Sequence, residues 1–524
     1  MWHQLELLRT FMSKLQVSEV MLITDKPVTS KRHWLHILTL CLLCLLSVIT
    51  YILLISAAPQ SDDRIAPFLH VWMISFLPYF VACAFVLATK PLAGSWRWIE
   101  LGIILLGAFV LRIMLLPLPP GLSHDSWRYL WDARVTLHGF SPYVYAPGVK
   151  ALAALQNTIL YTNSRFRDVP TIYPPGAQAI FLLSYLLAPA NLYFLKGVFV
   201  VFDMVTCVAL IVLLGRKGLD QRRVILYAWC PLPIIEFAIQ GHMDVITLTF
   251  TILAVLAASN HSVRGYLLTG FLIGLATLTK IYPILLLVVI LPGGDEKDAP
   301  VMQRIRYHYV PLLGSCFATI IIGYLPYLIL GHGQAFGYFA AYTSEQGQNA
   351  GVTQLIVQWL GDQLRLPLTK TITLEHIVDV LVISTASLIV FALRWRNRIS
   401  VEMATLLLFG IVLSISSHVF PWYTTILLLW VPVLLINPST FVGARVGTGR
   451  KVGFDGRLLA VIATWYFTTT VSLSYFLNTD PSLDWTSYYR LVYMPVMAAL
   501  SVAAIIGVIN LFRFQKEPDS ISGG

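Results

Sequence analysis

Long apolar runs separated by short basic clusters constrain this chain more than any motif does. An apolar stretch of about 20 residues crosses a bilayer as a helix, because a helix pairs its own backbone polar groups where no water can. Such runs occur at 34–57, 67–89, 99–117, 197–214, 222–240, 243–258, 265–279, 281–292, 309–330, 375–394, 402–417, 421–436, 457–477 and 489–511. They predict an all-α integral membrane protein, a multi-span helical bundle of 13–14 transmembrane helices. Composition agrees: 57% of residues are apolar and 12% charged, with mean hydropathy +0.74. A soluble domain carries about twice that charge.

The formal net charge of +10 is no sign of nucleic-acid binding, because the Lys and Arg residues fall between apolar runs. That placement is the topology signal of cytoplasmic loops. Lys31-Arg32, Lys90 with Arg97, Arg216-Lys217 with Arg222-Arg223, Arg264, Arg304 with Arg306, Arg394 to Arg398, Arg445 with Arg450-Lys451, and Arg513 with Lys516 all read as inside. The long loop Gly121–Tyr173 and the second loop 331–374 then face outside, and both termini are expected inside. The N-terminal stretch is polar and mixed, so no cleavable signal peptide is expected. Two places resist a simple crossing. The run 176–188 has no charge-consistent span and reads as a short or re-entrant helix, and the runs 265–279 and 281–292 read as a kinked pair broken at Lys280 and Pro283. The six cysteines (Cys41, Cys44, Cys83, Cys207, Cys230, Cys316) all sit within apolar runs and read as packing residues.

Under this topology the unusual polar residues collect at outer ends of spans, as expected of one outward-facing cavity. Asp125, Arg128 or Tyr129, and Asp132 share a helical face just beyond the third span. That helix reads as a carboxylate platform for general-base chemistry, as a surface helix anchored by its Trp and Tyr residues, or as both at once. Lys280 in an apolar stretch needs an anionic partner, such as a lipid phosphate, or snorkels to water. His242 and Asp244 in the turn Gly241–Asp244 could bind sugar hydroxyls or cap a helix. His418 could hydrogen-bond a phosphate. Trp422 and Tyr423 stack on a sugar or anchor the interface, and Tyr173-Pro174-Pro175 closes the long loop. Asp203 is expected to pair with Lys196, and Arg112 with a carboxylate the sequence does not identify. The chain has no GxxxxGK[ST] loop, no GxGxxG after a strand, no CxxC and no DxD, so no metal site and no cofactor are expected.

Several motifs in this order resemble the GT-C superfamily of polytopic glycosyltransferases, and within it glycosyltransferase family 87. They are HDSWRYLWDARVTLHGFSPY (124–143), IYPPGAQ (172–178), GHMD (241–244), TKIYPILLLVVILP (279–292) and SSHVFPWY (416–423). The resemblance implies a polyprenyl-phosphate-linked hexose donor, mannose in particular, and a lipid or glycan acceptor at the extracytoplasmic face of a bacterial plasma membrane. It implies that Asp125 is the general base of an inverting transfer. By the same resemblance Lys280, His418 and Arg128 hold the donor phosphate, while His242, Asp244, Tyr129, Asp132, Tyr173, Trp422 and Tyr423 bind sugar or acceptor. Family members often carry Gln-Asn where this chain has His242-Met243. The expected organisation is a cytoplasmic segment 1–33, an N-terminal hairpin 34–98, a GT-C-like core 99–436, and C-terminal helices with a cytoplasmic tail, 437–524. A transporter or flippase of lipid-linked sugars is the alternative, and would require internal repeats and midplane charges.

Overall fold

The computed structural model describes residues 30–58, 65–292, 300–435, 456–479 and 483–514, and every element among them is helical. The expected N-terminal segment up to residue 29, the basic residues Arg445, Arg450 and Lys451, and Lys516 lie outside the described residues.

Among the described residues eight helices are long and apolar enough to cross a membrane: Arg32–Ser56, Ile65–Ala88, Trp96–Leu115, Leu192–Arg216, Val301–Leu330, Leu368–Trp395, Gly456–Leu477 and Trp485–Gly507. This is fewer than the sequence count because the remaining apolar runs form shorter or broken helices. Asp244–Ala258, Val263–Thr277 and Val401–Ser414 have 14 or 15 residues each. The run 222–240 breaks at Cys230 before Pro231, and the runs at 281 and 421 begin as 3-10 turns over Tyr282–Leu285 and Pro421–Thr424. Proline at each break removes an amide donor and clashes with the preceding turn.

Broken helices survive at membrane depth only where protein surrounds them. Residues 222–249 meet that condition, since every one of them is buried. The long helices around them are the exposed ones: the most apolar windows of Leu368–Trp395 and Trp485–Gly507 are only 6% buried within the protein, leaving their apolar side chains for lipid. The N-terminal hairpin is part of this bundle. The Tyr79 hydroxyl donates to the Leu226 carbonyl at 2.7 Å and accepts from Trp465 Nε1 at 2.9 Å.

One buried ion pair departs from expectation. Asp203 pairs with Arg112 at 2.6 Å, not with Lys196, and also accepts from the Tyr227 hydroxyl at 2.7 Å. Seven residues are about two helical turns, roughly 10 Å along the axis, so Lys196 and Asp203 sit too far apart. Lys196 Nζ instead donates to the carbonyls of Leu118 and Ile239. A separate group of ion pairs lies at the bundle end away from residue 118. There Arg222 bridges Glu100 and Asp220, His36 meets Glu100 at 2.6 Å, and Lys217 meets Glu402 at 2.7 Å.

The run 176–188 forms the 13-residue helix Pro175–Leu187, too short to cross. Its first turn is tied to the break before Lys280: the amides of Gly176 and Ala177 both donate to the Leu278 carbonyl, at 2.7 and 3.2 Å. A Cβ on Gly176 would come within 2.8 Å of that carbonyl oxygen, so only glycine allows the approach.

Candidate functional site

Asp125 is the first residue of the helix Asp125–Leu137, and the chain entering it is held by its neighbours. The amides of Leu122 and Ser123 donate to Gln240 Oε1, and the Asp125 amide donates to Ser123 Oγ. The helix does not lie on a surface. Tyr129, Leu130, Trp131, Asp132 and Ala133 are buried, and Tyr129 stacks on Phe181 at 4.3 Å. That removes the reading of a helix lying on the bilayer surface.

The turn beneath it begins at Gly241, whose φ of +70° is a left-handed conformation that glycine adopts at little cost. His242 follows, fully buried, with Nδ1 at 3.7 Å from Asp125 Oδ2 and Nε2 at 3.5 Å from Glu236 Oε2. Asp244 then opens the next helix, and its carboxylate meets Lys280 Nζ at 2.7 Å. Lys280 also lies 3.6 Å from the centre of the Tyr423 ring, a desolvated cation–π contact.

Two cavities meet here. The first, about 340 Å³, is lined by Asp125, Arg128, Arg165, Tyr338, Glu345 and His418 among others. The second, about 400 Å³, has a more apolar wall that includes Ile172, Leu285, Ile383 and Leu413, and it holds Asp244 and Lys280. Tyr173, Tyr342 and Tyr423 line both. The Tyr342 and Tyr423 hydroxyls are joined by a 2.8 Å hydrogen bond, so the partition between the cavities is made of tyrosines.

Asp125 keeps 24% of its side-chain exposure, directed into the first cavity. Burial pushes its carboxyl up to about 6, and the Asp244 carboxylate adds to the shift. A hydrogen bond with Tyr173 and the charges of Lys280 and Arg128 act in the other direction. The carboxyl is thus tuned close to neutral pH, where a general base works best. His418 Nε2 faces Glu345 Oε2 at 3.3 Å; burial lowers its basicity and the Glu345 charge partly restores it.

The expected site residues separate by role. Asp125, Tyr173, His418, Trp422 and Tyr423 line the first cavity; Asp244, Lys280, Tyr173 and Tyr423 line the second. Lys280 and His418, expected to clamp one phosphate, face different cavities. Arg128 reaches the first cavity, but its Nε donates to Asp132 and its terminal nitrogens donate to the carbonyls of Phe166 and Val169. It clips the long loop, and it lines the first cavity, not the second cavity that holds Lys280. Asp132 is buried between Arg128 and Gln178, and Tyr129 sits behind Tyr173, so neither lines a cavity. Trp422 has no face free for a sugar: His242 stacks on it at 3.7 Å and Phe420 at 4.6 Å, both nearly parallel. His242 itself lines neither cavity.

Tyr342, expected at the outer side with the second loop, completes the site together with Glu236, Phe420 and Tyr475, which the sequence reading did not single out. Glu236 lies inside an apolar run as a lone carboxylate, the one local signal that would have flagged it. Among the described residues no three His, Cys, Asp or Glu side chains gather as a metal-binding group.

Residues 171–421 match the family model of glycosyltransferase family 87. The matched segment contains Tyr173, His242, Asp244, Lys280 and His418, whereas Asp125 lies before it and Trp422 and Tyr423 just after it. No curated protein matches the chain.

Proposed function

We propose that the chain, whose residues 171–421 match the model of glycosyltransferase family 87, is a membrane glycosyltransferase that transfers a hexose, mannose in particular, from a polyprenyl-phosphate donor to a lipid or glycan acceptor. The observation that carries this reading is the pair of cavities sharing one tyrosine wall. A buried carboxyl tuned to about 6 lies on one side, and a cation in an apolar groove lies on the other.

The apolar groove suits a prenyl chain, with the donor phosphate at Lys280. Phosphate competes there with Asp244 for the ammonium. The acceptor occupies the first cavity with its hydroxyl at Asp125. Asp125 takes the hydroxyl proton, the oxygen lone pair attacks the anomeric carbon, and the bond from that carbon to the phosphate oxygen breaks. The bond's electron pair leaves with the phosphate, and the configuration inverts. Lys280 offsets the charge that grows on the leaving phosphate, which needs a cation more than it needs an acid. The tyrosine wall has to admit the sugar from the donor side, so the Tyr342–Tyr423 hydrogen bond opens or rearranges during the cycle. Basic groups such as Lys217, Arg222 and Arg394 lie at the opposite end of the bundle, which supports an extracytoplasmic site.

The test is transfer by the purified protein in nanodiscs from labelled polyprenyl-phosphate-mannose to a glycolipid pool, with Asp125→Asn alongside. Transfer by the wild type and a loss of more than about 100-fold in the variant are expected. Equal rates would remove Asp125 from the chemistry.

A further inference from the structure

A further cavity, of about 300 Å³, lies at the end of the bundle away from Asp125 and Lys280, where the transfer chemistry gives it no part. The helix Asp244–Ala258 starts at the candidate site with Asp244 and ends at this cavity with Ala258 and Ser259. Two other helices bring cations to it. Leu192–Arg216 ends in a turn at Gly218, φ +66°, which leaves Lys217 at its tip. Leu368–Trp395 ends in a turn at Asn397, φ +52°, a left-handed conformation that asparagine tolerates. That turn folds the chain back, so that Glu402 in the first turn of Val401–Ser414 reaches the same cavity as Arg394. Lys217 Nζ meets the buried Glu402 carboxylate at 2.7 Å, while 41% of the Lys217 side chain stays exposed. Arg394 is fixed by two backbone carbonyls: Nε donates to Val289 at 3.0 Å and Nη1 to Ile399 at 2.9 Å. Its Nη2 has no hydrogen-bond partner among the described residues. His261, whose Nδ1 lies 3.4 Å from the Tyr266 hydroxyl, lines the cavity as well.

We propose that this cavity binds the headgroup phosphate of an anionic phospholipid from the leaflet at that end of the bundle. Lys217 and Arg394 face the single carboxylate of Glu402, so the cavity carries one positive charge in excess, the complement of one phosphodiester. The donors are ready for it. A guanidinium already held by two carbonyls has little freedom left to lose, and its Nη2 edge is unspent. The Lys217 ammonium keeps two N–H groups beyond the one on Glu402. A cation in the last turn complements the helix dipole, which explains each residue singly. It does not explain why two helices aim their cations into one cavity with donors to spare. Access is also provided. The most apolar window of Leu368–Trp395 is only 6% buried within the protein, and Leu388 and Ile389 are exposed one to two turns before Arg394. A lipid can therefore lay its chains along this helix while its headgroup turns in at Arg394. Basic pockets between spans are where anionic headgroups settle on the cytoplasmic side of a membrane. A phosphate bridging Lys217 and Arg394 would tie the peripheral helix Leu368–Trp395 to Leu192–Arg216.

The test counts lipids retained by the full-length protein in detergent, by native mass spectrometry, with dioleoylphosphatidylglycerol set against dioleoylphosphatidylcholine. Wild type should hold one phosphatidylglycerol at least about fivefold more tightly than phosphatidylcholine, whose choline cancels the phosphate charge. Arg394→Gln should weaken that one binding step about 10-fold or more, and Lys217→Gln about fivefold. Glu402→Gln removes the competing carboxylate and should tighten it about fivefold. A misfolded variant cannot bind more tightly, so this substitution separates loss of the ligand from loss of the fold. Phosphatidylglycerol should also raise the melting temperature of wild type, and should leave that of Arg394→Gln unmoved. Inorganic phosphate is the second probe. If it stabilises wild type as well as phosphatidylglycerol does, and phosphatidylglycerol has no advantage over phosphatidylcholine, the lipid is overturned as the source and a soluble phosphate takes its place. Phosphatidylglycerol binding that Arg394→Gln leaves unchanged, or that Glu402→Gln fails to tighten, overturns the site itself.

Discussion

The pH profile of the reaction follows directly from the setting of Asp125. Its carboxyl is raised to about 6 by burial first and by the Asp244 carboxylate second, against the opposing effects of Tyr173, Lys280 and Arg128. A general base works ionised, so activity is present above this value and is lost as pH falls through it. Between pH 5 and pH 7 the ionised fraction climbs from about 9% to about 91%, a roughly tenfold rise in kcat/KM. An ordinary aspartate, titrating near 3.9, would change by only about 10% over the same interval. The assay is initial transfer rate in nanodiscs at saturating donor and low acceptor, buffered from pH 4.5 to 8. Asp244→Asn removes the neighbour that raises the carboxyl and should move the midpoint to lower pH. Lys280→Gln removes a cation that lowers it and should move the midpoint upward. A flat profile between pH 5 and 7, or a midpoint indifferent to both substitutions, would refute the assignment of Asp125 as the base.

Two further outcomes follow from the same geometry. Lys280→Gln should raise KM for the polyprenyl-phosphate sugar at least about 10-fold, the worth of a charge-assisted hydrogen bond of about 1.5–3 kcal/mol; unchanged donor KM in steady-state titrations would move the phosphate elsewhere. Gly176→Ala drives a methyl to 2.8 Å from the Leu278 carbonyl oxygen and should cost about 1–3 kcal/mol. Its signature is a lower melting temperature in detergent together with reduced transfer, because Leu278 carries the chain into Lys280; a variant melting and transferring like wild type would show that the approach has slack.

Much of the site was legible in the sequence because its signals are local. Asp125 directly after a span, Lys280 at a proline-broken apolar run, and His418 before Pro421-Trp422-Tyr423 each stand out against hydrophobic surroundings, where a polar group is costly unless it has work to do. Apolar length likewise announced an all-α membrane bundle. It overstated the long spans because length cannot tell a lipid-facing helix from a broken one wrapped in protein, and residues 222–249 are of the second kind.

What the tertiary structure alone decided is which faces meet. Charge at a position does not name its partner, so Arg112 found Asp203 across the bundle while Arg128 was spent on loop carbonyls. An aromatic ring in sequence does not reveal whether its faces are free, and Trp422 has both covered. Lys280 and His418 share one end of the bundle by sequence, yet the Tyr342–Tyr423 pair divides them between two cavities, and His242 lies between two carboxylates drawn from different helices. Hydrophobic length and charge placement belong to the chain one segment at a time. Pairing, stacking and partition depend on close packing among segments far apart in sequence, and they exist only once the bundle has formed.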